Sequence, residues 1–264
     1  MISTRLRRVT ATAAAATGAV CLSIVVAQAQ SATTPRLADG HPDLNGMWYH
    51  RIGAPAPQIK PGESYDAKNA PRGQVTQYPV GRPKYKPEFL AKVKDLDERQ
   101  VDVDPAWYCQ PPGVPRIGPP QKIVQTAKEM VFLYDDLSGN FFRVVRMNGT
   151  HRSDIDPSAH GDSVGHWEGD TLVVDVTNLD DSTWLTDNGA FHSDKTHVVE
   201  RLRRDGDSLH YEVTVEDPVV LAEPWVQRPR DLKRMTNYDI EEAPFCAEKD
   251  RSHMQDLSHH GNIR

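Results

Sequence analysis

From residue 121 to residue 235 the chain is a succession of short β-type runs separated by turns, with no helical stretch between them. The runs are Lys122–Thr126, Met130–Tyr134, Phe141–Met147, Leu172–Val176, His197–Arg204, Ser208–Val215 and Trp225–Met235. Ser138-Gly139-Asn140, the tight turn Trp167–Thr171 and Asp205-Gly206-Asp207 supply hairpin turns between several of them. Strands joined by turns alone pair with their sequence neighbours, so this texture predicts a mainly β antiparallel meander. A sheet of that length buries its apolar face by closing into a barrel or folding into a sandwich. No internal repeat is present, which argues against a propeller.

The remainder of the chain reads differently. Arg5, Arg7 and Arg8 precede a small apolar stretch, Thr10–Val26, and Ala27-Gln28-Ala29 fits a leader cleavage site. Residues 1–29 are therefore read as a signal peptide, and the protein as periplasmic or secreted, without a stable membrane anchor. Residues 30–120 form an extended region packing on the β core. In it, Asp39–Tyr49 leads into a short strand, Arg51–Tyr85 is a Pro- and Gly-rich surface loop, and Lys86–Arg99 has the spacing of one short amphipathic helix. The β core spans 121–245 and a polar tail 246–264.

Charge and cysteine usage narrow the function. The formal charge of −6 becomes −9 once three leader arginines are removed. A net-acidic exported chain has no electrostatic footprint for nucleic acid. Cys109 and Cys246 are the cysteines left after the leader. In an oxidising compartment they are read as a disulfide, contributing about 5 kcal/mol by loop closure. Two separate buried thiols are the alternative.

Strand alternation assigns faces. Glu200 falls between Val198 and Leu202, Arg143 between Phe141 and Val145, and Asp175 beside Val173. A charge on an apolar face must be paired or neutralised. Arg143 is thus either paired with Asp175 or Glu200 as a structural bridge, or part of a polar site inside an apolar cup. Tyr134 ends a neighbouring strand. The segment 154–201 also gathers His160, Asp162, His166, Glu168, Asp175, His192, Asp194, His197, Glu200 and Arg201.

That density points to acid–base chemistry, since an imidazole oriented by a carboxylate exchanges protons near neutral pH. The predicted catalytic base is His192 or His197, oriented by Asp194 or Asp162 in a His192–Asp194 or His197–Asp162 pair. Arg143 and Arg201 are candidates to stabilise an enolate or phenolate. Tyr134, His160, Trp184 and Glu200 complete the predicted substrate contacts, and Trp184 sits between the two acidic loops. The eleven histidines match no zinc spacing, and no metal is predicted. There is no nucleophile elbow, P-loop or dinucleotide fingerprint, so no cofactor is expected.

Several segments together resemble a large family of exported bacterial proteins of no established general function. They are Asp39–Trp48 (DGHPDLNGMW), Cys109–Arg116 (CQPPGVPR), Ser163–Asp175 (SVGHWEGDTLVVD), His192–Arg201 (HSDKTHVVER) and Glu216–Pro218 with Pro224-Trp225. His166 stands where arginine is more familiar, and EEAPFCAEKD around Cys246 departs from the family's last cysteine region. The resemblance implies an exported β-rich fold with a preserved pocket and names no reaction. The Gly46-x-Trp48 near the start also resembles the lipocalins, which implies a calycin-like barrel. The combined expectation is a periplasmic enzyme acting on a small organic molecule, aromatic ones included, by metal-free acid–base chemistry of lyase, isomerase or cyclase type. A non-catalytic lipocalin-like binding protein and a metal-dependent hydrolase are the alternatives. No expectation of oligomeric state follows from the sequence.

Overall fold

Alternating apolar residues build the strands. Leu209, Tyr211, Val213 and Val215 are all buried, whereas the residues between them face outward. Each fully buried Val or Leu of this kind contributes about 1.5–3 kcal/mol. The computed structural model describes residues 33–49, 82–136 and 138–242, all within the unit Ala32–Arg264. The leader, most of the Arg51–Tyr85 segment, Cys246 and the tail lie outside the described residues.

Among the described residues the strands are β1 (Gly46–Tyr49), β2 (Lys122–Gln125), β3 (Glu129–Asp136), β4 (Gly139–Met147), β5 (Asp162–Glu168), β6 (Thr171–Thr177), β7 (His197–Asp205), β8 (Ser208–Glu216), β9 (Trp225–Val226) and β10 (Arg230–Met235). They follow one another around a single sheet, and β10 pairs with both β1 and β8. This closes a nine-stranded barrel, with β9 a short addition on β8. The fold is mainly β as expected, and of the two closures considered, barrel and sandwich, it takes the barrel.

Three details differ from the sequence reading. The β4–β5 pair is parallel rather than antiparallel. An odd number of strands cannot alternate in direction all the way round a ring, so one neighbouring pair must run parallel. The connection spanning 148–161 makes the crossover. Next, the 225–235 run is two strands, β9 and β10, separated by Gln227-Arg228-Pro229; proline removes a ladder donor and interrupts pairing. Finally, β1 from the N-terminal region is itself a barrel stave, seated between β10 and β2.

The short helix forms as α1 (Leu90–Glu98), entered by a 3-10 turn at Pro87–Phe89 and followed by α2 (Gln100–Val103) and a 3-10 turn at Pro105–Tyr108. Phe89, Val93 and Leu96 pack on the core, but Leu90 of the expected apolar face is exposed. Tyr85, at the end of the predicted surface loop, is buried, and its hydroxyl donates to Phe191 O at 2.6 Å. Trp48 is fully buried beneath the guanidinium groups of Arg204 and Arg234, and its indole N–H donates to Leu44 O. Among the described residues no helix is long and apolar enough to cross a membrane.

Candidate functional site

The period of two along β4 and β7 turns Arg143 and Glu200 into the barrel lumen from strands on different sides of the ring. They form an ion pair, with Arg143 Nη2 2.5 Å from Glu200 Oε2 and both side chains almost wholly buried. Of the two partners considered for Arg143, the structure selects Glu200. Asp175 lies on the outer face of β6 instead.

Hydrogen bonds from neighbouring strands extend the pair. Arg143 Nη2 donates to the Tyr134 hydroxyl of β3 at 2.9 Å, and Arg143 Nη1 reaches Ser163 Oγ of β5 at 3.4 Å. Tyr211 of β8 donates its O–H to Glu200 Oε1 at 2.6 Å. The guanidinium carbon also lies 5.3 Å from the Phe132 ring centre and 5.9 Å from that of Tyr134. Burial pushes both tyrosine hydroxyls well above their ordinary values, so both persist as O–H donors. For Arg143, burial works against the charge, but the Glu200 carboxylate outweighs it and keeps the guanidinium protonated.

His160 completes the cluster from the 148–161 connection. Its ring sits 6.2 Å from Tyr134 and edge-on to Phe141 at 5.6 Å. Gly161 makes this placement possible. It adopts φ +63°, and a Cβ there would come within 2.4 Å of Thr177 O. Burial, helped by the Arg143 charge and opposed by the Phe142 backbone, lowers the His160 pKa to about 4. The ring is therefore neutral at pH 7. Arg143 Nε and His160 Nε2 are buried with no hydrogen-bond partner among the described residues. Such atoms are uncommon in folded proteins and call for an explanation.

Tyr134, Arg143, His160 and Glu200, of the residues proposed from the sequence, are thus brought together in one cluster. The predicted pairs His192–Asp194 and His197–Asp162 do not form. His192 is buried, with Nε2 2.8 Å from Thr183 Oγ1 and Nδ1 donating to Ser193 O. Asp194 points to solvent and pairs with Lys195 at 2.6 Å. The carboxylate organising that loop is Asp217, which accepts from Ser193 N, Ser193 Oγ and Thr196 Oγ1. Spacing of two residues in an irregular loop does not fix facing, which is why the His192–Asp194 pairing failed.

His197 lies on the outer wall, with Nε2 2.8 Å from Asp175 Oδ2. The other Asp175 oxygen meets His151 Nε2 at 2.8 Å, and His151 Nδ1 lies 3.0 Å from Asp162. Asp162 is buried and also accepts from Arg146 and Arg152. Burial alone would raise its pKa; the Arg152 backbone N–H, His151, Arg152 and Arg146 together hold it below the ordinary carboxylate range. Asp162 and His197 are thus joined through Asp175 and His151 rather than directly. Arg201 is also on the outer wall, paired with Glu168 at 2.8 Å, and does not reach Arg143's side of the sheet. Trp184 is buried, bridged to Phe191 and faced by the Arg116 guanidinium at 5.9 Å.

Sequence reasoning missed His151, Ser163 and Tyr211. Tyr211 was legible in principle: it alternates with Leu209 and Val213 on the inward face, and a buried tyrosine hydroxyl requires a partner. His151 carried no such signal, since it precedes β5 in an irregular connection. Among the described residues no group of three or more His, Cys, Asp or Glu side chains is placed to hold a metal ion. Cys109 follows the 3-10 turn at Pro105–Tyr108, and its predicted partner, Cys246, lies outside the described residues. A scan against protein-family models and a search of curated proteins each match nothing in this chain.

Proposed function

We propose that the protein is an exported enzyme that acts on a small organic molecule by acid–base chemistry of lyase or isomerase type, with its site in the barrel lumen. The observation that carries this reading is the convergence of Arg143, Glu200, Tyr134, Tyr211 and His160, with Arg143 Nε and His160 Nε2 left unpaired among the described residues. A barrel of this size fills readily with apolar side chains, and a buried ion pair adds little net stability over an apolar replacement. Folding alone therefore gives weak reason for the cluster.

The roles follow from protonation. The neutral His160 ring accepts a proton from the substrate. An oxyanion developing beside it raises its proton affinity as the step proceeds. Arg143, and the Tyr134 hydroxyl it polarises, stabilise that oxyanion from donors already in position. Glu200, held by Tyr211, fixes the guanidinium. The periplasmic location, the Cys109–Cys246 disulfide and the resemblance to exported bacterial proteins belong to the same proposal.

A turnover screen of purified protein on small carbonyl, enol and aromatic substrates tests it, run beside His160→Phe, Tyr211→Phe, His192→Ala and His197→Ala. Loss of at least a hundredfold in the first two, with the last two close to wild type, is the expected pattern. Activity that survives in His160→Phe and disappears in His197→Ala would move the site to the Asp175 pair on the outer wall. Binding without turnover across the screen would leave a non-catalytic lipocalin-like binding protein. Stoichiometric zinc in elemental analysis would instead favour a metal-dependent hydrolase.

A further inference from the structure

We propose that the lumen binds a monocarboxylate together with one proton, so that the bound species amounts to a neutral carboxylic acid held between His160 and Arg143. This rests on the lumen being the ligand site and names the class of ligand it takes.

Charge is the first argument. Arg143 and Glu200 already neutralise each other, and both tyrosines remain protonated. A carboxylate entering alone would bring an uncompensated charge into a buried space, which is costly. His160 is the group in the cluster whose protonation an incoming carboxylate favours. Uptake of one proton from solvent returns the site to neutrality.

Hydrogen bonding is the second. Apart from Glu200 Oε2, which faces Arg143 Nη2 at 2.5 Å, the cluster's buried atoms without a hydrogen-bond partner among the described residues are a donor, Arg143 Nε–H, and an imidazole nitrogen, His160 Nε2. A protonated carboxyl group offers one acceptor and one donor. The pairing is the same whether the proton is assigned to the ring or to the acid. Both groups border Tyr134, with the guanidinium carbon 5.9 Å and the His160 ring 6.2 Å from its centre.

The walls are the third. Phe132 and Tyr134 flank Arg143, and Phe141 and Tyr134 flank His160, which suits an aromatic or branched apolar body. Phe141 and His160 are only partly buried, so the cluster reaches the barrel edge on their side. A phosphate or dicarboxylate would carry a second charge with no group to neutralise it.

Isothermal titration of the purified protein with sodium benzoate, in two buffers of different ionisation enthalpy, reads the proton directly. We expect uptake of about one proton per benzoate at pH 7, and affinity rising about tenfold for each unit of pH lowered between 7 and 5.5. His160→Gln supplies an amide N–H in place of the protonated ring. Lacking a ring to protonate, it is expected to bind benzoate at least about tenfold more weakly at pH 5.5 and without the wild-type proton uptake. Wild-type binding without proton uptake, an uptake unchanged in His160→Gln, or no binding at pH 5.5 by protein whose circular dichroism is native would each overturn the inference. Benzoate binding with proton uptake but no turnover of any acid would preserve the inference and end the enzyme reading. Turnover of uncharged substrates by protein that binds no carboxylate would do the reverse.

Discussion

Glu200 shows how much a single side chain is committed by its surroundings. It is fully buried, ion-paired to Arg143 and hydrogen-bonded by Tyr211. Glu200→Gln leaves the guanidinium buried without its counter-charge and should destabilise the protein by about 3–5 kcal/mol. Replacing both partners, Arg143→Met with Glu200→Leu, removes both desolvation costs and should return stability to within about 2 kcal/mol of wild type, or above it. Urea denaturation midpoints measure both. A double variant as unstable as the single one would show that the pair holds the barrel together, which would weaken the case for a functional role. At this scale Glu200 was readable in advance, because a carboxylate between two apolar residues of a strand has to face inward and find a partner. His192 was not, because a loop residue has no periodicity from which to infer its neighbours.

The connection 148–161 is the element on which the site depends. It makes the parallel crossover, and its far end is tied to the end of β6 by Asn178 Nδ2 to Ile155 O and Asp156 O, and by Ser158 N to Asn178 O. Near its start, His151 clasps Asp162 and Asp175 on the outer wall. Its last residues deliver His160 into the cluster. Gly161→Ala forces a Cβ against Thr177 O in a backbone region unfavourable to L side chains. A loss of about 1–3 kcal/mol is expected, together with a changed His160 environment in the proton spectrum of the ring. Unaltered stability and an unaltered His160 signal would show that the connection does not depend on this close approach. The hairpins β3–β4 and β7–β8 were legible because turn residues flank alternating runs. Strand β5 was harder to see, since Asp162–Glu168 is polar at several positions and is held in place by β4 and β6 rather than by its own pattern.

For the molecule as a whole, buried histidines set a pH limit. Burial lowers His160 to about 4, and burial also lowers His192, although the Ser193 carbonyl opposes it. The ordinary value is 6.5 for each, so in the range from about 4 to 6.5 the unfolded chain binds more protons than the folded one. Their contribution is complete above 6.5 and declines as pH falls through that window. Asp162 and Asp217 are shifted below 3.8, and their contribution is lost at still lower pH as they protonate in the fold. Thermal melts should therefore show a midpoint falling steadily from pH 7 to 4.5, with a shallower fall in His160→Phe; parallel curves for the two proteins would contradict the His160 assignment. The sequence by itself determined the class of fold, because alternation and turn chemistry act between near neighbours and specify strands and hairpins locally. It also determined that Arg143 and Glu200 face inward, since inward facing follows from a period of two. Only the closed ring decided which charges meet, because the partner of Arg143 lies across the lumen and closure, strand number and the parallel crossover set that distance. The folded loop tied to Asp217 turned His192 away from Asp194, and the crossover connection brought His151, which no local pattern marks, between two carboxylates.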